Sequence, residues 1–252
     1  MKSLCILALL VGALAAQAEP PTGTLVIVGG GTTPSGLHRK LLDLAGGTNA
    51  KVLVVPLASS STNNGAPSVE AFRKAGATRV SAIPTNDAKS ALAAVRAADV
   101  IWMPGGEQTR LVAELNRLGV VPAIRERHGK GAVIGGTSAG AAVMSKVMIM
   151  GTGDAKDGKV APPLGEGLGL WPGVIVDQHF VKRGREPRLR AAIQAHPGLL
   201  GVGIDESTYV LVKGNGFEVG GKSTVLVLDA RGGGEMKRTE LKAGGKFDLV
   251  RK

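Results

Sequence analysis

The chain has 252 residues, 44% hydrophobic and 20% charged, with a formal net charge of +11. That suffices for one hydrophobic core and excludes a disordered chain, since single cores stop growing only near ~250–300 residues. A single cysteine excludes a disulfide or cysteine–metal scaffold, and 3% aromatic residues argue against a nucleic-acid surface built on stacked rings.

Residues 1–18 read as a signal peptide. Lys2 gives a positive start, Leu4 to Ala16 is an apolar run, and Ala16-Gln17-Ala18 is a small-x-small cleavage site. The run is shorter than the ~20 apolar residues a membrane span needs. The mature chain, residues 19–252, is therefore expected to be secreted or periplasmic, with no membrane attachment after cleavage. It keeps no thiol, because Cys5 leaves with the signal, and it stays strongly basic. Such charge favours anionic partners.

Short β-branched runs then alternate with amphipathic stretches. Strands are expected at Thr24–Gly30, Lys51–Pro56, Arg79–Pro84, Asp99–Met103 and Ala132–Gly135, and helices at Leu37–Leu44, Val69–Ala75, Ala88–Ala97 and Gln108–Leu118. This alternation predicts an α/β fold with a doubly wound, mostly parallel sheet. After Gly201 the period falls to two, broken by Gly214-Asn215-Gly216 and Gly220-Gly221 turns. That predicts C-terminal antiparallel hairpins added to the same sheet. No linker or repeat interrupts the pattern, so one domain is expected.

Gly29-Gly30-Gly31 follows the first strand, but the third glycine of a dinucleotide fingerprint would fall on Pro34. Neither a P-loop lysine nor an HExxH motif is present, and no cofactor or metal is expected. Pro104-Gly105-Gly106-Glu107-Gln108 is a glycine turn at a strand end; Gly105 and Gly106 could offer amides to an oxyanion and Gln108 could reach a substrate. Gly136-Thr137-Ser138-Ala139-Gly140 fits G-x-S-x-G between a strand and a helix. A sharp turn there exposes a serine hydroxyl, and the amide of Ala139 is a second oxyanion donor.

A nucleophilic serine needs a base. His38, His128 and His196 lie among charged residues or at a helix end and read as surface histidines. His179 follows a hydrophobic strand from Gly173, inside Asp177-Gln178-His179-Phe180, and strand ends are where sites assemble in α/β sheets. An orienting acid would come from Asp154, Asp157, Asp177, Asp205 or Glu206, and spacing does not choose among them. Lys182, Arg183, Arg185, Arg188 and Arg190 crowd a helix start at Glu186-Pro187. The helix dipole disfavours cations there, so the cluster reads as a trap for carboxylates or phosphates.

Together, VIVGGG, MPGGEQTRL, GGTSAGAAVMS, DQHFVKRGR with Arg188, and GVGIDEST resemble the cyanophycinases of the peptidase E-like serine hydrolases. The resemblance implies a flavodoxin-like fold related to class I glutamine amidotransferases, with serine in place of their cysteine. It implies a Ser-His-Glu triad, which maps onto Ser138, His179 and Glu206; an acid in the Asp154–Asp157 loop is the alternative third member. It further implies that Gln108, Asp177, Gln178, Arg183, Arg185 and Arg188 line the pocket, the arginines holding substrate carboxylates and Asp177 meeting a guanidinium. The substrate implied is cyanophycin, a polyaspartate carrying arginine on its side chains, cut to β-Asp-Arg dipeptides. Intracellular members lack a signal peptide, so external polymer is the expected target, and a homodimer is suggested. The alternatives are a dipeptidase for aspartyl or isoaspartyl peptides using the same triad, and a non-catalytic binder of acidic polymers.

Overall fold

Buried β-branched runs set the frame. The structure, a computed structural model, describes residues 23–61, 65–151 and 161–250. The expected signal peptide and the Asp154–Asp157 loop lie outside the described residues. Five parallel strands, β1 (Thr24–Val28), β2 (Lys51–Val54), β3 (Arg79–Ala82), β4 (Val100–Met103) and β5 (Val133–Thr137), alternate with helices. These are α1 (Leu37–Leu44), α2 (Ala66–Lys74), α3 (Ala88–Ala97) and the pair α4 (Gln108–Arg117) and α5 (Val121–Gly129). α3 and α4 begin where Asp87 and Glu107 accept hydrogen bonds from amides two and three residues on.

Successive strand residues point to opposite faces. Val26 and Val28 accordingly pack with Leu41, Phe72 and Trp102, whereas Leu25 and Ile27 pack with Val95, Leu111, Leu115 and Ile124. α5 is not evident from periodicity, because charged and apolar residues are mixed along it. It nevertheless forms, with Pro122 in its first turn and Ala123, Ile124 and His128 buried. The surface reading of two histidines is thereby corrected. His128 is 5% exposed, and His38 lies edge-on to Phe72 and Trp102, with ring centroids 4.7 and 5.4 Å away. His196 caps the C-terminus of a later helix, half-buried.

After β5 come a short helix, α6 (Ala139–Ala142), the pair β6 (Val147–Ile149) and β7 (Leu164–Glu166), then β8 (Val174–Gln178) and α7 (Glu186–Ala195). The remainder is strand: β9 (Leu200–Ile204), β10 (Thr208–Lys213), β11 (Gly216–Gly221), β12 (Val225–Asp229), β13 (Lys237–Leu241) and β14 (Lys246–Asp248). Among the described residues these make an eight-stranded sheet, β14-β11-β10-β1-β5-β4-β2-β3, a four-stranded sheet, β13-β12-β9-β8, and the small β6-β7 ladder.

The expectation that the C-terminal hairpins extend one sheet therefore holds for β10, β11 and β14 only. β9, β12 and β13 join β8 in a second sheet, which period-2 alternation cannot distinguish because it fixes a strand's faces and not its neighbours. Val174, Val176, Val202, Ile204, Val225 and Val227 of this second sheet pack into the core on the Leu25–Ile27 side, and its outer face is covered by Leu189 and Ile193 of α7. β5 of the large sheet and β8 and β9 of the small one thus end close together. Among the described residues no helix is long and apolar enough to cross a membrane.

Candidate active site

Ser138 immediately follows β5 with φ 54° and ψ −110°, a sharply strained turn. Its neighbours must be small for the chain to pass: a β-carbon on Gly140 would lie 2.0 Å from the carbonyl oxygen of Met103, and one on Gly136 would lie 2.5 Å from that of Gly140. The turn is pinned by the Ser138 amide, which donates to Val28 O at 3.1 Å, and by the Ser138 carbonyl, which accepts from Ala141 and Ala142. Ser138 itself is left half-buried.

His179 leaves the end of β8 with φ 50°, and its amide donates to Gly29 O at 2.6 Å. Its Nε2 lies 2.9 Å from Ser138 Oγ, and its Nδ1 lies 2.6 Å from Glu206 Oε1. Glu206 sits in the turn after β9, where the chain crosses from the small sheet to the large one. Hydroxyl, imidazole and carboxylate thus form one hydrogen-bonded row built from three strand ends. With Nδ1–H donating to Glu206, Nε2 is free to accept the Ser138 proton. Burial, the largest influence, lowers the His179 pKa below its ordinary value of 6.5. The hydrogen bond to Glu206 opposes this, and the charges of Arg183 and Arg185 reinforce it. The imidazole is accordingly neutral near pH 7, the state a general base requires.

The triple glycine after β1, which carries no nucleotide signature, is the seat of this pair. A β-carbon on Gly30 would lie 2.3 Å from His179 Cε1, and one on Gly31 would lie 2.9 Å from Glu206 Cβ. Sequence reasoning missed this role. The available signal was three glycines directly after a fully buried strand, a place where another backbone or side chain comes close.

On the other side of Ser138 lies the turn of Gly105 and Gly106. A β-carbon on Gly105 would be 3.4 Å from Ser138 Cβ, so the glycine leaves room beside the hydroxyl. Ala139, buried, opens α6, and amides of a first helical turn have no carbonyl partner within the helix. Gln108 is 5% exposed, and its amide donates to Ile149 O and Gly151 O, so it fastens a backbone segment rather than facing solvent.

The arginine cluster divides. Arg183 is exposed and close enough to His179 to influence it. Arg185 and Arg188, expected to face a substrate, are 2% and 1% exposed and turn inward. Arg188 makes a two-pronged pair with Asp177, through Nε at 2.7 Å and through Nη2. Arg185 donates to Gln178 O at 2.6 Å and to Gln178 Oε1 at 2.9 Å, and lies 3.8 Å from Asp177. Asp177, expected to meet a guanidinium of the substrate, meets these of the chain instead. The physical reason is the helix dipole: cations at the start of α7 need a carboxylate beneath them.

Among the described residues no group of three or more His, Cys, Asp or Glu side chains is arranged to hold a metal ion. A wide groove of about 920 Å³ between β11, β13 and β14 lies at the far end of the hairpins and contains none of the groups above.

The model of peptidase family S51 matches residues 25–220. A cyanophycinase from Trichormus variabilis is 35% identical over 221 residues, 82% of this chain and 74% of that protein. One from Geminocystis herdmanii is 39% identical over 196 residues, 74% of this chain and 72% of that protein. The crystal structure of a peptidase from an acI-B1 actinobacterium superposes with a TM-score of 0.66 at 22% identity, covering 91% of this chain and 98% of that one, a likeness of fold.

Proposed function

The chain belongs to peptidase family S51 and is a serine peptidase, and from that premise we propose that it hydrolyses cyanophycin to β-Asp-Arg dipeptides through an acyl-enzyme on Ser138. The observation that carries the reading is the hydrogen-bonded row of Ser138, His179 and Glu206 in a chain 35–39% identical to cyanophycinases over most of its length.

Ser138 Oγ attacks the carbonyl carbon of an aspartyl backbone amide while His179 Nε2 takes its proton. The oxyanion is held by the amides of Ala139 and of Gly105 or Gly106. His179 then gives the proton to the leaving nitrogen, the C–N bond breaks, and an ester to Ser138 remains. Water, deprotonated by the same imidazole, attacks the ester and restores the serine. Glu206 holds the tautomer and offsets the positive charge on the imidazolium. Arg183, exposed beside His179, takes a free carboxylate of the substrate. Arg185, Arg188, Asp177, Gln178 and Gln108 act from beneath, fixing the strand end and turns that carry the site.

A signal peptide in residues 1–18 directs this activity to polymer outside the cytoplasm. The test of the substrate is incubation of the mature chain with insoluble cyanophycin and mass analysis of the soluble fraction. β-Asp-Arg as the product is expected. Intact granules together with cleavage of isoaspartyl dipeptides would move the substrate to small peptides and leave the chemistry in place.

A further inference from the structure

Two of the places where the backbone passes between the two sheets meet at one carboxylate. Residues 205–207 lead from β9 of the small sheet to β10 of the large one, and residues 222–224 lead from β11 back to β12. Asp205, 8% exposed, stands between them. Its Oδ2 accepts from the Ser223 hydroxyl at 2.6 Å, and its amide donates to Thr224 O at 3.2 Å. The Ser223 amide donates to Thr208 Oγ1 at 2.8 Å, whose hydroxyl donates to Glu206 O at 3.2 Å. Asp205, Ser223 and Thr208 therefore close a ring of hydrogen bonds around the turn that holds Glu206.

The other oxygen of Asp205 reaches the base. Oδ1 accepts from the amide of Lys182 at 2.9 Å, within the turn that follows His179. Both turns are strained: His179 has φ 50°, and Ser207, next to Glu206, has φ 54°. Such conformations cost roughly 1–3 kcal/mol each and persist only where the surroundings over-determine them. Asp205 supplies that constraint to both at once.

We propose that Asp205, with Ser223, is a positioning residue that locks the turn of His179 against the turn of Glu206 and so keeps the imidazole on its carboxylate. The inference rests on the assignment of these residues as base and acid. Burial favours the neutral form of Asp205, yet the Ser223 hydroxyl and the amides of Lys182, Glu206 and Val181 together outweigh it and hold the carboxyl below its ordinary range. Asp205 is therefore an anion collecting donors from both turns; an amide would keep one acceptor for the Lys182 amide but would lose the charge and reverse the hydrogen bond with the Ser223 hydroxyl.

The test compares Asp205→Asn, Ser223→Ala and Ser223→Thr with the wild type, reading kcat and KM separately, thermal stability, and the far-downfield proton resonance of His179 Nδ1–H. The resonance is assigned by its loss in Glu206→Gln and is read in a Ser138→Ala background as well. Asp205→Asn is expected to lower kcat roughly 10- to 100-fold with KM within about twofold, and to weaken or broaden the resonance. Ser223→Ala should do the same to a smaller extent, and Ser223→Thr, which keeps the hydroxyl, should restore both. If Asp205→Asn fails to fold, the Ser223 pair decides alone. Variants that melt earlier but keep the resonance and kcat would overturn the proposal. A wild type that shows the resonance but cleaves no peptide would instead refute the assigned function and leave the brace standing.

Discussion

Ser138, His179 and Ser207 share a positive φ, which residues with a β-carbon seldom adopt, and among the described residues they are the non-glycine positions that have one. Two belong to the hydrogen-bonded row and the third adjoins Glu206, so the strain is gathered around the proposed triad. Glu206→Gln should lower kcat roughly 10²–10⁴-fold with little change in KM, because the imidazole loses its orienting anion and not its place; steady-state kinetics on a soluble β-aspartyl substrate would show this. The lowered pKa of His179 places the acid limb of kcat/KM below pH 6.5, with activity lost as the pH falls through it. A limb centred above 6.5 would contradict the burial argument. Arg183→Ala should raise KM roughly 10- to 100-fold, as expected for a charge-assisted contact of ~1.5–3 kcal/mol, while leaving stability within about 0.5 kcal/mol as at other surface positions.

At the scale of elements, the two halves of the arginine cluster separate by what their removal would cost. Arg188→Ala strands Asp177, itself 1% exposed, without its two-pronged partner. With Arg185 at 3.8 Å the cation that remains beside it, a loss of up to ~3–5 kcal/mol is expected for breaking such a buried pair, read as a lowered midpoint in urea, in contrast to Arg183→Ala. Sequence reading saw five cations against a helix dipole and inferred an external anion. It could not see that Asp177, eleven positions before Arg188, ends the neighbouring strand and lies directly below. The β5–Ser138–α6 turn, by contrast, was legible, because the close approach of Gly140 to Met103 O leaves its mark as a glycine in the sequence. The same logic applies to Gly30. Gly30→Ala would force His179 aside and is expected to cut kcat on the order of 100-fold, more than it reduces stability.

On the scale of the whole molecule, the site lies where two sheets meet, and this explains what the sequence could and could not disclose. The first five strands and helices α1 to α4 follow from hydrophobic patterning and periodicity, whereas α5, with charged and apolar residues mixed along it, does not. Glu206 could not be chosen over Asp205 by spacing, because the choice depends on the crossing from β9 to β10, which turns one carboxylate toward His179 and its neighbour toward Ser223. Burial also lowers the pKa of His38, His128 and His179 together. The unfolded chain therefore binds protons more readily than the folded one near pH 6, and stability, fully present above about 6.5, should fall as the pH drops through that value toward the lowered folded ones. Thermal melts between pH 8 and 5 would record the decline, and a midpoint that rises on acidification would contradict it. The central claim is that Ser138 is the nucleophile of a peptidase. The measurement that addresses it most directly is the intact mass, with peptide mapping, of wild-type and Ser138→Ala protein acid-quenched during turnover. The account predicts a substrate fragment esterified to the peptide containing Ser138 and no product from the variant; product formed by Ser138→Ala at the wild-type rate would contradict it.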